Sequence, residues 1–127
     1  MTDRHQFEQL LRELYAARVE GPLDRLCGLF AADAGFRIAG ASDGKPISVD
    51  AAGIDAIRPW LAMMMKTFRL ADQRIVSMVL DGSRAAVHWS ASVHSRITGS
   101  VVATEFVDLV EVRAGRIASY VEFFVPR

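Results

Sequence analysis

Phe106-Val107-Asp108-Leu109-Val110-Glu111-Val112-Arg113-Ala114-Gly115-Arg116-Ile117 is the stretch that decides the fold. Phe106, Asp108, Val110 and Val112 fall on one side of a period-two pattern, and Val107, Leu109 and Glu111 on the other, as in a β-strand. Ala114-Gly115 at the centre of Arg113 to Arg116 is a tight turn. It sends the chain back through a final strand, Ile117 to Val125. Both faces are rich in apolar residues. The expectation is that helices cover one and a partner subunit the other.

Upstream, period two holds from Arg74. Ile75 to Leu80 is a strand, and Asp81-Gly82 is a hairpin signal. Val87, Trp89, Ala91 and Val93 then alternate with His88, Ser90, Ser92 and His94, which gives one apolar and one polar face. Thr98-Gly99-Ser100 turns the chain into a strand that begins at Val101.

The first half has a different period. Phe7, Leu10, Leu11, Leu14, Tyr15 and Val19 form one helical stripe, opened by a capping-box pattern of Asp3 and Gln6. Gly21-Pro22 stops it, and Pro22 can open a second helix whose apolar side is Leu23, Leu26, Leu29 and Phe30. Gly35 to Ala39 reads as a short strand, and Gly40 to Gly53, rich in Gly, Ser, Asp and Pro, as a loop. Ile54 to Phe68 is a third helix, which Pro59 should kink or delay. Helices first and an antiparallel meander afterwards argue an α+β fold.

The chain of 127 residues is one domain, against a prior of about 150 per domain. Its apolar content of 51% excludes disorder. Fifteen basic and fifteen acidic residues cancel, so neither a nucleic-acid footprint nor a polybasic membrane patch exists. The run Trp60 to Met65 is too short to span a bilayer. Met1 to Gln6 lacks a signal peptide's apolar stretch, and one cysteine, Cys27, cannot form an internal disulfide. The expectation is a cytoplasmic protein.

Helix, Gly-Pro break, Leu29-Phe30-Ala31-Ala32-Asp33-Ala34, a third helix opened by Gly53, and a sheet ending in Gly115-Arg116-Ile117 resemble the SnoaL-like and ketosteroid isomerase-like proteins. These belong to the nuclear transport factor 2-like, or cystatin-like, superfamily. The resemblance covers nearly the whole chain as a single SnoaL-like domain, 1–127. It implies a cone-shaped curved antiparallel sheet with three N-terminal helices packed on its concave face, and a pocket in the cone's mouth. Members include isomerases, cyclases, hydratases, epoxide hydrolases and non-catalytic binding or assembly modules.

Residue by residue, the resemblance to ketosteroid isomerases is partial. Their Asp base matches Ile38, which cannot move protons. Their Tyr donor matches Leu14 without gaps, and Tyr15, one residue on, is rotated by about 100° and expected to point elsewhere. Their protonated acid matches Asp108. Steroid isomerisation by that mechanism is not implied. Glu122 before Phe123-Phe124 resembles the last-strand acid of limonene epoxide hydrolase-like members, whose partner Arg and Asp find no match around His88 to Ser92.

Asp108 on an apolar face should have its charged form disfavoured. Glu122 lies between Tyr120 and Phe124. If both face inward, they approach as a coupled pair with one proton held, an acid/base device at neutral pH. The bland alternatives are an Asp satisfied by backbone or hydroxyl donors or lying at an edge facing solvent, and a Glu paired with Arg37 or Arg58 or set in a dimer interface.

The expected catalytic residues are thus Asp108 and Glu122, with Tyr15, Ile38, Trp60, Met64, Trp89, Tyr120 and Phe124 against the substrate. Met63, Met64 and Met65 suit an adaptable pocket. No metal or cofactor is expected, since His5, His88 and His94 lack ligand partners at metal spacing and no phosphate-cradling Gly motif occurs. Cys27 suits a small buried role. Two functions stay open: a cofactor-independent isomerase, cyclase or hydratase acting on a small apolar organic molecule, and a non-catalytic ligand-binding or assembly module. A homodimer is expected through the sheet face of His88, Ser90, Ser92 and His94 with Val107 and Leu109.

Overall fold

A computed structural model describes residues 3–42 and 44–126. Met1 and Thr2 of the polar N-terminal stretch, and Asp43 in the expected loop, lie outside the described residues. The chain runs α1 (Arg4–Glu20), α2 (Leu23–Cys27), β1 (Phe30–Ser42), β2 (Lys45–Ala52), α3 (Ile54–Thr67), β3 (Phe68–Asp81), β4 (Arg84–Ser95), β5 (Val101–Arg113) and β6 (Arg116–Pro126). The six strands form one open sheet in the order β2-β1-β6-β5-β4-β3. Register shifts in β1, β3 and β6 mark bulges, which bend and twist a sheet.

α1 forms as its stripe dictates. Asp3 accepts the Gln6 backbone N–H at 3.1 Å, and Gly21, at φ 72°, closes the far end with its N–H on Ala17 O. Phe7, Leu11, Leu14, Tyr15 and Ala17 are buried. Each large side chain among them contributes roughly 1.5–3 kcal/mol by burial. The exposed Arg12–Glu8 pair adds about 0.3–0.5 kcal/mol, so the apolar stripe decides how α1 docks.

The second half follows its alternation. The β5–β6 turn has Ala114 at φ 51° and Gly115 at φ 76°, the two positive φ values that a two-residue hairpin needs. Ala85, Val87, Trp89 and Ala91 of β4 and Thr104, Phe106, Asp108, Val110 and Val112 of β5 are buried on one face. His88, Ser90, Ser92 and His94 take the other, where His88 Nε2 lies 2.9 Å from Glu105 and His94 Nδ1 lies 3.1 Å from Arg69 Nη2.

Five expectations need correction. The sheet is mixed, because β1 pairs parallel to β6 through Gly35↔Ser119 to Gly40↔Phe124. Helix α2 ends at Cys27, and Leu29 and Phe30 lie outside it, with Phe30 opening β1. Gly40 to Gly53 is no loop, since its residues belong chiefly to the β1–β2 hairpin. β2 is an edge strand and mostly exposed, so it carries no alternating apolar signal and tolerates Pro46. β3 starts at Phe68, six residues before Arg74, and a bulge between Ala71 and Arg74, with Asp72 at φ 53°, interrupts its period. Helix α3 starts at Ile54 despite Pro59, whose missing N–H leaves one i→i−4 bond unmade.

Candidate functional site

The register of the central strands sets the site. Asp108 on β5 faces Glu122 on β6, and Glu122 faces Ile38 on β1. Val110 and Tyr120 form the next inward pair, and Phe36 of β1 lies beyond Tyr120. α1 brings Tyr15 and Arg18 to this face, one helical turn apart. Asp108 and Glu122 are 0% and 2% exposed, so what neutralises them is the central question.

Three side chains converge on one oxygen of Asp108. Tyr15 donates its hydroxyl to Oδ2 at 2.6 Å, Trp89 donates Nε1–H at 2.8 Å, and the Tyr120 hydroxyl lies 2.6 Å away. The same Tyr120 hydroxyl is 2.7 Å from Glu122 Oε2. Arg18 Nη1 donates to the Tyr120 oxygen at 2.8 Å and forms an ion pair with Glu122 Oε2. The Arg18 guanidinium also lies over the Trp89 ring, 5.0 Å from its centroid, a cation–π contact. Trp89 stacks on Phe106, and Tyr120 on Phe36.

Hydrogen counting constrains the protonation. Tyr120 Oη has one hydrogen to give and two lone pairs. One lone pair accepts from Arg18. The hydrogen goes to one carboxyl, so the other carboxyl must itself donate, or two lone pairs would meet at hydrogen-bond distance. The pair therefore holds one proton between them. Burial, then the charge of Glu122, pushes the Asp108 carboxyl well above its ordinary range, against the opposing pull of Arg18. That direction favours Asp108 as the holder of the proton. Its Oδ1 is buried without a hydrogen-bond partner among the described residues, a smaller penalty for a neutral acid than for a carboxylate. Burial likewise raises Tyr15 and Tyr120, so both remain phenols. For Arg18, burial is the largest single influence and opposes the charge, but Glu122, Tyr120 and Asp108 together outweigh it and keep the guanidinium protonated.

Beside this cluster is a cavity of about 400 Å³. Ile38, Ile47, Val49, Trp60, Met63, Met64, Met65, Phe68 and Phe124 supply much of its wall. Ser95, Ser100 and Thr104 also border it, and Arg18 and Glu122 are its charged lining residues. Gly40 makes room for the Phe124 ring: a Cβ there would lie 2.4 Å from it.

The expected site residues therefore divide. Glu122, Ile38, Trp60, Met64 and Phe124 border the cavity, whereas Asp108, Tyr15, Trp89 and Tyr120 do not. Those four form a buried polar layer behind Glu122. Tyr15 does not point elsewhere: its hydroxyl reaches Asp108, and Leu14 packs in the core. Glu122 pairs with Arg18, while Arg58 pairs with Asp24. Sequence reasoning missed Arg18. Its signal was a cation at the i+3 and i+4 positions of Tyr15 and Leu14, inside an otherwise apolar stripe. Cys27 is buried. Among the described residues no group of three His, Cys, Asp or Glu could hold a metal ion, and no helix is long and apolar enough to cross a membrane.

Comparison with known proteins agrees with this architecture. Residues 11–120 match the SnoaL-like domain. The chain belongs to the SnoaL-like family. Its fold is similar to that of an isomerase candidate from Bacillus subtilis, with TM-score 0.82 and 20% identity over 98% of this chain and 90% of that one. An isomerase candidate from Rhodopseudomonas palustris superposes with TM-score 0.79 and 18% identity, covering 98% of this chain and 91% of that one. A polyketide cyclase candidate from Xanthomonas campestris pv. campestris gives TM-score 0.72 and 16% identity, over 96% and 92%. No curated protein matches the chain. The α+β SnoaL-like domain is thus of the nuclear transport factor 2-like superfamily.

Proposed function

We propose that this SnoaL-like protein is a cofactor-independent acid/base enzyme, of isomerase, cyclase or hydratase type, acting on a small apolar organic molecule in the mouth of a cone-shaped sheet. The observation that carries the reading is Glu122, paired with Arg18 and backed by a one-proton carboxyl pair, at an apolar cavity. Such a group meets a ligand in a medium where proton transfer and charge are strongly felt. A cavity of 150 Å³ holds benzene, so about 400 Å³ suits a ligand of about 16 heavy atoms by simple scaling. A neutral molecule with one carbonyl, hydroxyl or epoxide oxygen directed at Arg18 and Glu122 fits the lining.

The test is a panel of cyclic ketones, enones and epoxides of that size, with binding read by NMR shifts and turnover by mass spectrometry. Turnover by the wild type, falling about 10²- to 10⁴-fold in Glu122→Gln, is the expected result. Turnover that survives Glu122→Gln unchanged overturns the assignment. Binding without any turnover makes the chain a ligand-binding module, the second reading, which the predominantly apolar wall favours.

The outward sheet face supports a further proposal, a homodimer. Val107 and Phe123 are direct neighbours there, Leu109 and Val125 lie close by, and all four are exposed. An isologous contact would cover them. A monomeric mass by light scattering contradicts it.

A further inference from the structure

We propose that Tyr120 is a proton relay: Asp108 stores a proton out of reach of the ligand, and Tyr120 passes it to Glu122 at the cavity. This deepens the acid/base reading and rests on it. Asp108 is fully buried and borders no part of the cavity, so it can serve a ligand only through another group. Tyr120 touches both carboxyls with one oxygen, at 2.6 and 2.7 Å. The remaining groups facing the pair are Tyr15 and Arg18 from α1 and Trp89 from β4. Among these described neighbours, Tyr120 is the one that hydrogen-bonds to both carboxyls, which also face one another directly across β5 and β6.

The step balances without a co-reactant. The Asp108 Oδ2–H bond breaks as a new O–H bond forms on Tyr120. The original Tyr120 O–H breaks as the proton reaches Glu122 Oε2. The phenol is regenerated with its hydrogen reversed, Asp108 becomes a carboxylate and Glu122 an acid. The structure is already arranged for this product state. Asp108 Oδ2 then accepts from Tyr15, Trp89 and Tyr120 together, and three donors hold a buried carboxylate well. Glu122, newly protonated, lies beside Arg18 at the cavity and can donate to a ligand oxygen. Once that proton is spent, Glu122 is again the partner of Arg18. When the ligand instead supplies a proton to Glu122, the same chain runs backward and returns it to Asp108.

Tyr15 and Trp89 are positioning residues in this scheme. Their donors set how easily Asp108 gives up its proton, although neither borders the cavity.

Carbon-13 NMR of the side-chain carboxyls, titrated across pH in the full chain without ligand, tests the relay. In the wild type, one of the two carboxyls is expected to be protonated at neutral pH, and the Asp108 and Glu122 signals should shift together in each step. In Tyr120→Phe, which keeps the ring, the two carboxyls still feel one another's charge, but proton exchange between them, read from the line widths of their carboxyl signals, should slow. In Asp108→Asn, no protonated carboxyl should remain at this site at neutral pH, a result that stands even where Tyr120→Phe does not fold; a protonated carboxyl that persists there overturns Asp108 as the store. Two ionised carboxylates at neutral pH overturn the relay, as does proton exchange between the carboxyls that is as fast in Tyr120→Phe as in the wild type.

Activity does not enter this readout, so its failure is separable from failure of the enzyme reading. With a substrate in hand, Tyr120→Phe should lower kcat about tenfold or more with KM nearly unchanged, because Tyr120 is not part of the cavity wall. Equal loss through KM contradicts a relay.

Discussion

Asp108 and Glu122 stand directly opposite one another on β5 and β6, both buried, with one phenol between them. Two carboxylates cannot be left that way in a dry interior. The fold resolves the conflict with one retained proton and one guanidinium, and each has measurable consequences.

The retained proton makes stability depend on pH. Burial holds the Asp108 carboxyl well above its ordinary 3.8, so the folded state binds the proton more tightly than the unfolded one. The stabilisation is fully present below about pH 4 and is lost as pH rises towards the native value. Urea denaturation from pH 4 to pH 8 should show the wild type losing stability relative to Asp108→Asn, with a slope of up to about 1.4 kcal/mol per pH unit. Parallel curves for the two proteins would contradict the protonated state.

The guanidinium is the second half of the bargain with burial. Arg18→Met should leave Glu122 as an uncompensated buried charge and cost about 3–5 kcal/mol in chemical denaturation. The double variant Arg18→Met with Glu122→Gln should recover much of that loss. If the single variant is as stable as the wild type, Arg18 is not what neutralises Glu122.

Tyr15→Phe removes one donor from Asp108 Oδ2 and leaves the ring in the core. A loss of about 1–2 kcal/mol is expected for a buried hydrogen bond whose acceptor stays behind. Leu14→Met, one position earlier, replaces one apolar side chain with another of similar volume and should cost under about 1.5 kcal/mol, without altering the Asp108 carboxyl signal. A shift of that signal in Leu14→Met and none in Tyr15→Phe would reverse their assignment.

The cavity wall is tunable at Gly40. A Cβ there meets the Phe124 ring at 2.4 Å, so Gly40→Ala must displace the ring. Overpacking should cost about 1–3 kcal/mol. Binding of the apolar dye anilinonaphthalene sulfonate should weaken about tenfold, equivalent to about 1.4 kcal/mol. Unchanged dye affinity would mean that Phe124 does not shape the binding space.

Much of this was readable from residue order. The alternation from Phe106 to Val112 and the Ala114-Gly115 turn place β5 against β6, and the same parity puts Asp108 and Glu122 on one face. What stayed hidden is contact between distant elements. Nothing local reveals that β1 runs parallel to β6, since that pairing depends on two segments roughly eighty residues apart. The β1–β2 hairpin was masked by its exposed edge strand, whose burial pattern has no alternation. Tyr15 was misplaced because a one-residue shift on a helix turns a side chain by about 100°. Arg18 lay in plain view as a cation in an apolar stripe, but its partner is an acid about a hundred residues away.

Neutron diffraction from deuterated crystals at neutral pH, grown without ligand, tests the central claim most directly, because it locates the hydrogens. The expected result is one deuterium on the carboxyl pair, on Asp108 Oδ2 and directed at Tyr120, with the Tyr120 deuterium directed at Glu122 Oε2. Two bare carboxylates, or a Tyr120 hydroxyl directed at neither, would contradict a shared proton and the relay with it.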